Sequence, residues 1–591
     1  MEGSRRPHEI SLLLAGAMCL LPFLVPYHQL PILSFYPEWL AAALGVCAAL
    51  YVFVFAWRGG GALPLPAPSL WLIALALYFL ARAFLGQSYP QIGVLAACYV
   101  LLAALMVWLG AQLAGGLGTE RVCTALCVAL LAGALANALA GAIQFYGRPA
   151  LLEDVVADLG GRRAYGNIAQ PNLYANYLAL GQCALVFLWF RRRVRTGPAL
   201  LIALFLAAGS ALSGSRIALL FAGWIALLGA LSGQRVGDLR RLRLGAFVVA
   251  GCILATQLAV PWINDALDFR RAGESALDRM GALTSDTREP RWEIYSLGLR
   301  VFAAAPVFGV GPGAFPGAAF ELGLDPALTR SGEVLTSPHN LVLHLLAETG
   351  VIGAVLCLGG LCVWGWQLVR RRASNVEPAL WWVAAVAGVE LLHSLFEFPM
   401  WSAHFLGVAA LAMGVGLSPR PSSSSISAVL RAACIGCCTL LILALALLLR
   451  DFVRLDTTRI TGSAVTLVSP SDAQRDATTL RVLATGLLGP VAELWIVTGA
   501  PFDRNDLPAM LAMASRVATF WPSNAVLVRK AALLALDGNT NEGLFLLERT
   551  LHTFPQDHSS AVAALEQAAG GGAEALKPLR DLAREPRGSH K

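Results

Sequence analysis

The chain has 591 residues, of which 57% are hydrophobic and only 14% charged, with a mean hydropathy of +0.64. Soluble domains carry about 25% charged residues, so this composition excludes a string of them and names lipid as the solvent. The net charge of +7 is too thinly spread for a nucleic-acid footprint. No nucleic-acid partner is expected, and what matters is where the charges fall along a chain surrounded by membrane lipid.

Arg5 and Arg6 precede an apolar run near residues 10–26. That run reads as a signal peptide, with Ala17-Met18-Cys19 in the place of a lipoprotein cleavage box, or as an uncleaved first helix. The bulk of Met18 and the many spans that follow favour the helix. Further runs able to cross roughly 30 Å of hydrocarbon lie near 38–57, 69–86, 92–115, 122–146, 171–190, 198–213, 215–232, 243–263, 339–368, 378–396, 400–418 and 427–449. The expected fold is therefore an all-α polytopic membrane protein with about thirteen transmembrane helices. The seventh and eighth runs are short and meet at Ser213-Gly214-Ser215. They read either as a hairpin or as a broken helix, which membranes tolerate only beside a cavity.

With the N-terminus in the cytoplasm, Arg5-Arg6, Arg58, Arg121, Arg191-Arg192-Arg193, Arg240-Arg241 with Arg243, and Arg370-Arg371-Arg372 all fall on the cytoplasmic side. An odd span count then sends three segments to the opposite side: 147–170, the long loop 264–338, and everything after 450. Three regions follow: N-terminal transmembrane helices over 1–146, a membrane core over 147–449, and a soluble helical domain over 450–591. In the last, Trp521-Pro522 is echoed by Phe554-Pro555 some 33 residues later, close to the period of a tetratricopeptide helix hairpin.

All twelve cysteines lie inside apolar stretches, so no disulfide framework is expected. Cys434, Cys437 and Cys438 approximate a CxxC spacing but lack histidine partners, and no metal is expected there.

Chemistry is sought among ionisable groups on the non-cytoplasmic side. Arg216 opens the eighth run where the charge rule discourages cations; it either snorkels to the interface or meets an anion. Arg288, Arg291 and Arg300 flank Pro290, which suits a first helical turn whose N–H groups favour anions; ion pairing with Glu289 and Glu293 is the alternative. Ser337-Pro338-His339-Asn340 opens the tenth run, and His339 is able to move a proton near neutrality. Glu390, His393, Ser394, Glu397 and His404 gather around the end of the eleventh run, where isolated charges are costly enough to favour a shared polar cavity.

Gly166-Asn167-Ile168-Ala169-Gln170-Pro171-Asn172, Ser213-Gly214-Ser215-Arg216, Ser337-Pro338-His339-Asn340 with Glu348-Thr349-Gly350 and Gly353, and His393-Ser394-Leu395-Phe396-Glu397-Phe398-Pro399 together resemble the bacterial O-antigen ligase and polymerase superfamily. Within it they are most similar to PglL-type O-linked protein oligosaccharyltransferases, a subgroup that tends to carry a soluble tail. The resemblance implies a GT-C type transferase of the bacterial inner membrane. It would move a preassembled glycan from undecaprenyl pyrophosphate to Ser or Thr hydroxyls of a periplasmic protein. His339 would accept the hydroxyl proton and Arg216 and Arg291 would hold the pyrophosphate. Gln170, Asn172, Arg288, Asn340, His393 and Glu397 would line the substrates. No Asp-x-Asp pair is evident, so arginine forks would replace a divalent cation, with no metal or other cofactor. Phe398 departs from the tyrosine common in the family, so any hydrogen bond from that phenol is absent here or comes from a neighbour such as His404.

Two other readings stand beside this one: an O-antigen ligase that places the glycan on lipid A core, and a transporter of polyprenyl-linked glycan. A transporter would put charges at the bilayer midplane and show repeated halves.

Overall fold

Long apolar runs in lipid must satisfy every backbone group internally, and helices do so without a partner. The computed structural model describes residues 6–28, 32–58, 65–232, 239–269, 290–329, 334–374, 377–417, 427–456, 478–499, 506–569 and 574–585. Among the described residues up to Asp456 the α-helices are α1 (Arg6–Leu20), α2 (Phe35–Arg58), α3 (Ala67–Phe84), α4 (Pro90–Leu117), α5 (Thr119–Tyr146), α6 (Pro171–Phe190), α7 (Thr196–Leu212), α8 (Ile217–Ala230), α9 (Leu239–Ala266), α10 (Pro290–Ala304), α11 (Phe315–Glu321), α12 (Leu341–Ser374), α13 (Pro378–Ser394), α14 (Ala403–Val415) and α15 (Ala428–Asp456). The tail adds α16 (Gly489–Gly499), α17 (Leu507–Phe520), α18 (Asn524–Leu536), α19 (Thr540–Thr553), α20 (His558–Ala569) and α21 (Lys577–Arg584).

The chain is an all-α polytopic membrane protein. Each apolar run read from the sequence coincides with a helix. Among the described residues nine helices are long and apolar enough to cross a membrane. The helices α7, α8, α13 and α14 have only 17, 14, 17 and 13 residues. At about 1.5 Å per residue, these four fall short of a full hydrocarbon crossing.

Two compact units divide the chain. The first comprises Met1–Ala74, Tyr99–Arg288 and Cys357–Ala446. Its centre is α6, buried continuously from Tyr174 to Leu188 and packed by α5, α7, α8, α9 and α13. Small residues let these helices close: a side chain at Gly181 would sit 2.3 Å from Ala134, and Gly133 and Gly141 receive the hydroxyls of Tyr177 and Tyr174.

The ambiguous pair α7 and α8 is a hairpin. Trp189 donates to Thr196 at the start of α7 and also faces Gly245 of α9, whereas Gly229 near the end of α8 faces the adjacent Ala246. Both far ends of the pair thus reach one turn of α9, which requires the chain to reverse at Ser213–Ser215.

The second unit comprises Leu75–Cys98, Glu289–Leu356 and Leu447–Lys591. In it α10 buries Ile294, Leu297 and Val301, spaced for one helix face, against Phe315, Ala319, Leu335 and Ala347. In the tail α17 and α19 start at Leu507 and Thr540, and α18 packs against α17, α19 and α20. Trp521 and Phe554 are the C-caps of α17 and α19, so the echo in the sequence marks two equivalent helix ends. Tail and loop segments are packed together: Gly317 lies against the Thr519 carbonyl, Arg549 bonds Glu321 at 3.2 Å, and Thr329 donates to the Thr553 carbonyl. Tyr89 donates to Glu493, which also accepts two bonds from Arg516.

Candidate functional site

In the first unit the site grows from the start of α6. Gln170 is its N-cap, with extended backbone and a side chain that accepts from the Leu173 N–H, and Pro171 occupies the first turn, where its missing donor costs nothing. Asn172 follows as a hub. Its Oδ1 accepts from Ser215 Oγ at 2.7 Å and from Arg163 Nη2 at 3.1 Å, and its Nδ2 donates to Glu397 Oε1 at 2.9 Å. One turn deeper, Asn176 Nδ2 contacts both Glu390 Oε2 at 3.1 Å and His393 Nδ1 at 2.8 Å. Residues 172 and 176 on α6 therefore face 390, 393 and 397 on α13 and its extension as a two-rung polar ladder.

Glu390 and His393 are fully buried, and their Glu390 Oε1 and His393 Nε2 atoms meet no hydrogen-bond partner among the described residues. Unpaired buried polar atoms are costly. Of the five residues expected to share a polar cavity, Glu390, His393 and Glu397 line this ladder, while Ser394 Oγ donates to the Glu390 carbonyl. His404 does not join that hydrogen-bonding: it packs against Phe23 and Phe405, with ring centroids at 4.9 and 4.8 Å, while Phe398 stacks on Trp401.

Arg216 is the half-buried residue that leads into α8, immediately after the hairpin turn. The turn is held by a residue that sequence reading passed over. Arg163 Nε donates to the Ser213 carbonyl at 2.6 Å, and the next residue, Ala164, donates its N–H to the Leu212 carbonyl at 3.1 Å. The signal for it was present: Arg162-Arg163 is a basic pair in a loop assigned to the side where cations are disfavoured. Asn167 of the same motif is structural. Its side chain accepts from Ala157 N–H and donates to the carbonyls of Leu24 and Val155, and its N–H meets Asn137.

In the second unit His339 has a left-handed backbone (φ 49°), a conformation unusual outside glycine, and its N–H is held by Ser337 Oγ at 3.0 Å. Asn340 Oδ1 accepts from the N–H groups of Val342 and Leu343, capping α12. The Oδ1 of Asn340, expected to line the substrates, is thus engaged by the helix end. Arg291 begins α10, and Gly298, seven residues on and so on the same face, approaches Pro338 so closely that a Cβ would lie 2.9 Å from it. Arg291 is accordingly two turns along the helix face that meets the His339 turn. Arg288 lies outside the described residues.

Beneath that turn α12 is interrupted at Gly350 (φ 63°). The broken backbone pairs with the Pro306–Gly311 segment. Val310 and Gly311 donate to the Ala347 and Glu348 carbonyls, Val351 donates to Pro306, and Tyr78 donates to the Thr349 carbonyl at 2.7 Å. Glu348 pairs with His344 at 3.1 Å and accepts from Phe315 N–H. Among the described residues no three His, Cys, Asp or Glu side chains gather as a metal site.

A family profile described as O-Antigen ligase matches residues 201–358, and one described as Virulence factor membrane-bound polymerase, C-terminal, matches residues 381–569. The first spans Arg216, Arg291 and His339; the second runs from α13 through most of the tail. Together the two profiles support the resemblance to the O-antigen ligase and PglL-like superfamily that the motifs carry. A curated relative in Acinetobacter baylyi, named as a general O-oligosaccharyltransferase, is 24% identical over 424 residues, which cover 70% of this chain and 71% of that protein.

Proposed function

We propose that the chain is a glycosyltransferase that moves a preassembled glycan from undecaprenyl pyrophosphate to Ser or Thr hydroxyls of periplasmic proteins, pilin-like acceptors included. The reading is supported by the two family profiles, by the relative named as a general O-oligosaccharyltransferase, and above all by one observation. Arg216 follows a hairpin turn in which Arg163 donates to the Ser213 carbonyl and Ser215 donates to Asn172, itself braced by Glu397, as a phosphate-binding fork must be held.

The proposed arrangement keeps the N-terminus cytoplasmic in the inner membrane, with 147–170, 264–338 and the tail 450–591 in the periplasm, on a GT-C type membrane core. The acceptor hydroxyl oxygen attacks the anomeric carbon as the bond to pyrophosphate breaks, inverting that carbon. His339 takes the hydroxyl proton, and undecaprenyl pyrophosphate departs with the bonding electron pair. Arg216 and Arg291 hold its oxygens, where bidentate donors strengthen as charge develops, with no divalent cation required. Asn172 and Glu397 contact sugar or phosphate, with Gln170 fixing the start of α6; Arg288, Asn340 and His393 remain candidates from the resemblance.

Purified protein given a lipid-linked glycan and an acceptor protein tests this. His339→Ala is expected to abolish product while the protein stays inserted and folded, and Arg216→Lys to lose most activity because charge without the fork does not suffice. Glycan appearing only on lipid A core would establish the ligase reading instead, and no glycosylated product of either kind would leave the transporter.

A further inference from the structure

A cavity of ≈ 560 Å³ opens in the segment between α5 and α6, lined by Gln144, Arg148, Glu153, Asp158, Gly161 and Arg162 among others. That volume lies within the roughly 300–1,000 Å³ of small-molecule sites. Its walls are polar but largely committed to holding their own shape. The Gln144 amide donates to the carbonyls of Ala157, Asp158 and Gly166 and accepts from the N–H groups of Tyr165 and Gly166. Arg148 donates to the carbonyls of Glu153 and Val156 and pairs with Asp158 at 3.3 Å.

Two charged side chains in the lining are not so committed. The Arg162 guanidinium and the Glu153 carboxylate are exposed and meet no hydrogen bond or ion pair among the described residues. A pre-shaped bowl with a spare donor fork, a spare carboxylate and an apolar residue, Leu159, matches the vicinal hydroxyls of sugar rings. Those hydroxyls accept from guanidinium and donate to carboxylate. Glu153 and Asp158 balance Arg148 and Arg162 in the lining, so it carries no net positive charge that would select a strong anion over neutral hydroxyls.

Position adds to chemistry. Arg163, one Cα step of about 3.8 Å from Arg162, reaches Asn172 and the Ser213 carbonyl, three residues before Arg216. We propose that the cavity holds outer sugar rings of the lipid-linked glycan, distal to the pyrophosphate. The proposal rests on the glycan-transfer reading and adds a subsite for glycan length to it.

Gly161 permits a direct test. A Cβ there meets nothing within 4 Å and the backbone is not left-handed, so Gly161→Trp fills the cavity without strain. The full-length protein is assayed with undecaprenyl pyrophosphate carrying one sugar and with the same carrier bearing several. The readout is the ratio of the two kcat/KM values. Gly161→Trp is expected to lower the preference for the longer donor by about tenfold, equivalent to about 1.4 kcal/mol, mainly through KM; Arg162→Gln should lower it in the same direction by less. An unchanged ratio, whether both donors fall together or neither falls, overturns the proposal. Failure of the underlying reading is distinct, because the unaltered protein would then glycosylate no acceptor with either donor.

Discussion

Gly309→Ala tests how tightly the interruption of α12 is built. At Gly309 (φ 68°) a Cβ would stand 2.2 Å from the Glu348 carbonyl carbon, a backbone atom that cannot swing aside. The left-handed backbone alone costs a residue with a Cβ about 1–2 kcal/mol, and forcing a close-packed crossing apart costs about 1–3 kcal/mol more. The sum, about 2–5 kcal/mol, falls on a crossing made by Val310, Gly311 and Val351 hydrogen bonds to the opposite strand of backbone. Thermal unfolding in detergent, followed by tryptophan fluorescence, should show a clear loss of stability. Gly350→Ala (φ 63°, Val307 carbonyl carbon at 2.3 Å) should behave alike, and the double variant should lose less than the two losses added, since either change opens the same crossing. Gly197→Ala, where a Cβ meets nothing within 4 Å, is the control and should stay within about 0.5 kcal/mol. A Gly309→Ala protein as stable as that control would refute the reasoning.

Arg163→Met removes two charge-assisted bonds, to Ser213 and Asn172, each worth about 1.5–3 kcal/mol. Transfer is expected to fall about 10–100-fold in kcat/KM with the protein still folded, and Arg163→Lys to recover part of it; unimpaired transfer by the Met variant would remove Arg163 from the support of Arg216. The Tyr89–Glu493–Arg516 contact is expected to weaken in alkali. Burial, reinforced by the bond to Glu493, holds the Tyr89 phenol above its ordinary value, so the folded state keeps a proton the unfolded state releases. Its contribution is complete below about pH 10 and is lost as pH rises through the folded value. Amide hydrogen exchange in α16 and α17 should accelerate over that window in the unaltered protein, and Tyr89→Phe should flatten the dependence; an equal slope in both would assign it elsewhere.

Helices were legible because lipid leaves few alternatives to them, and apolar length alone locates them. The join of α7 and α8 was not, since Ser213-Gly214-Ser215 suits a reversal and a break equally, and only Gly229, Trp189 and their shared turn of α9 decide between them. Glu390, His393 and Glu397 meet α6 together because residues three and four apart share a helix face. His404 was grouped wrongly because it sits on the next helix, whose facing no local pattern reveals. The Gly166–Asn172 motif is divided in a way its letters do not show. Asn167 and Gln170 hold backbone, whereas Asn172 joins the ladder. Arg163 was missed because its partners, Ser213 and Asn172, become neighbours only after folding.

The packing of the tail on the loops of its own unit sets the boundaries of any graft. Gly317, Glu321 and Thr329 meet Thr519, Arg549 and Thr553, and Tyr89 meets Glu493. A tail taken from a relative and joined after α15 would arrive facing foreign surfaces at both places. A working chimera therefore has to carry residues 315–329 and the turn around Tyr89 with the tail, although these lie far apart in the chain. The heritable module is a discontinuous one, and recombination at a single junction would break it.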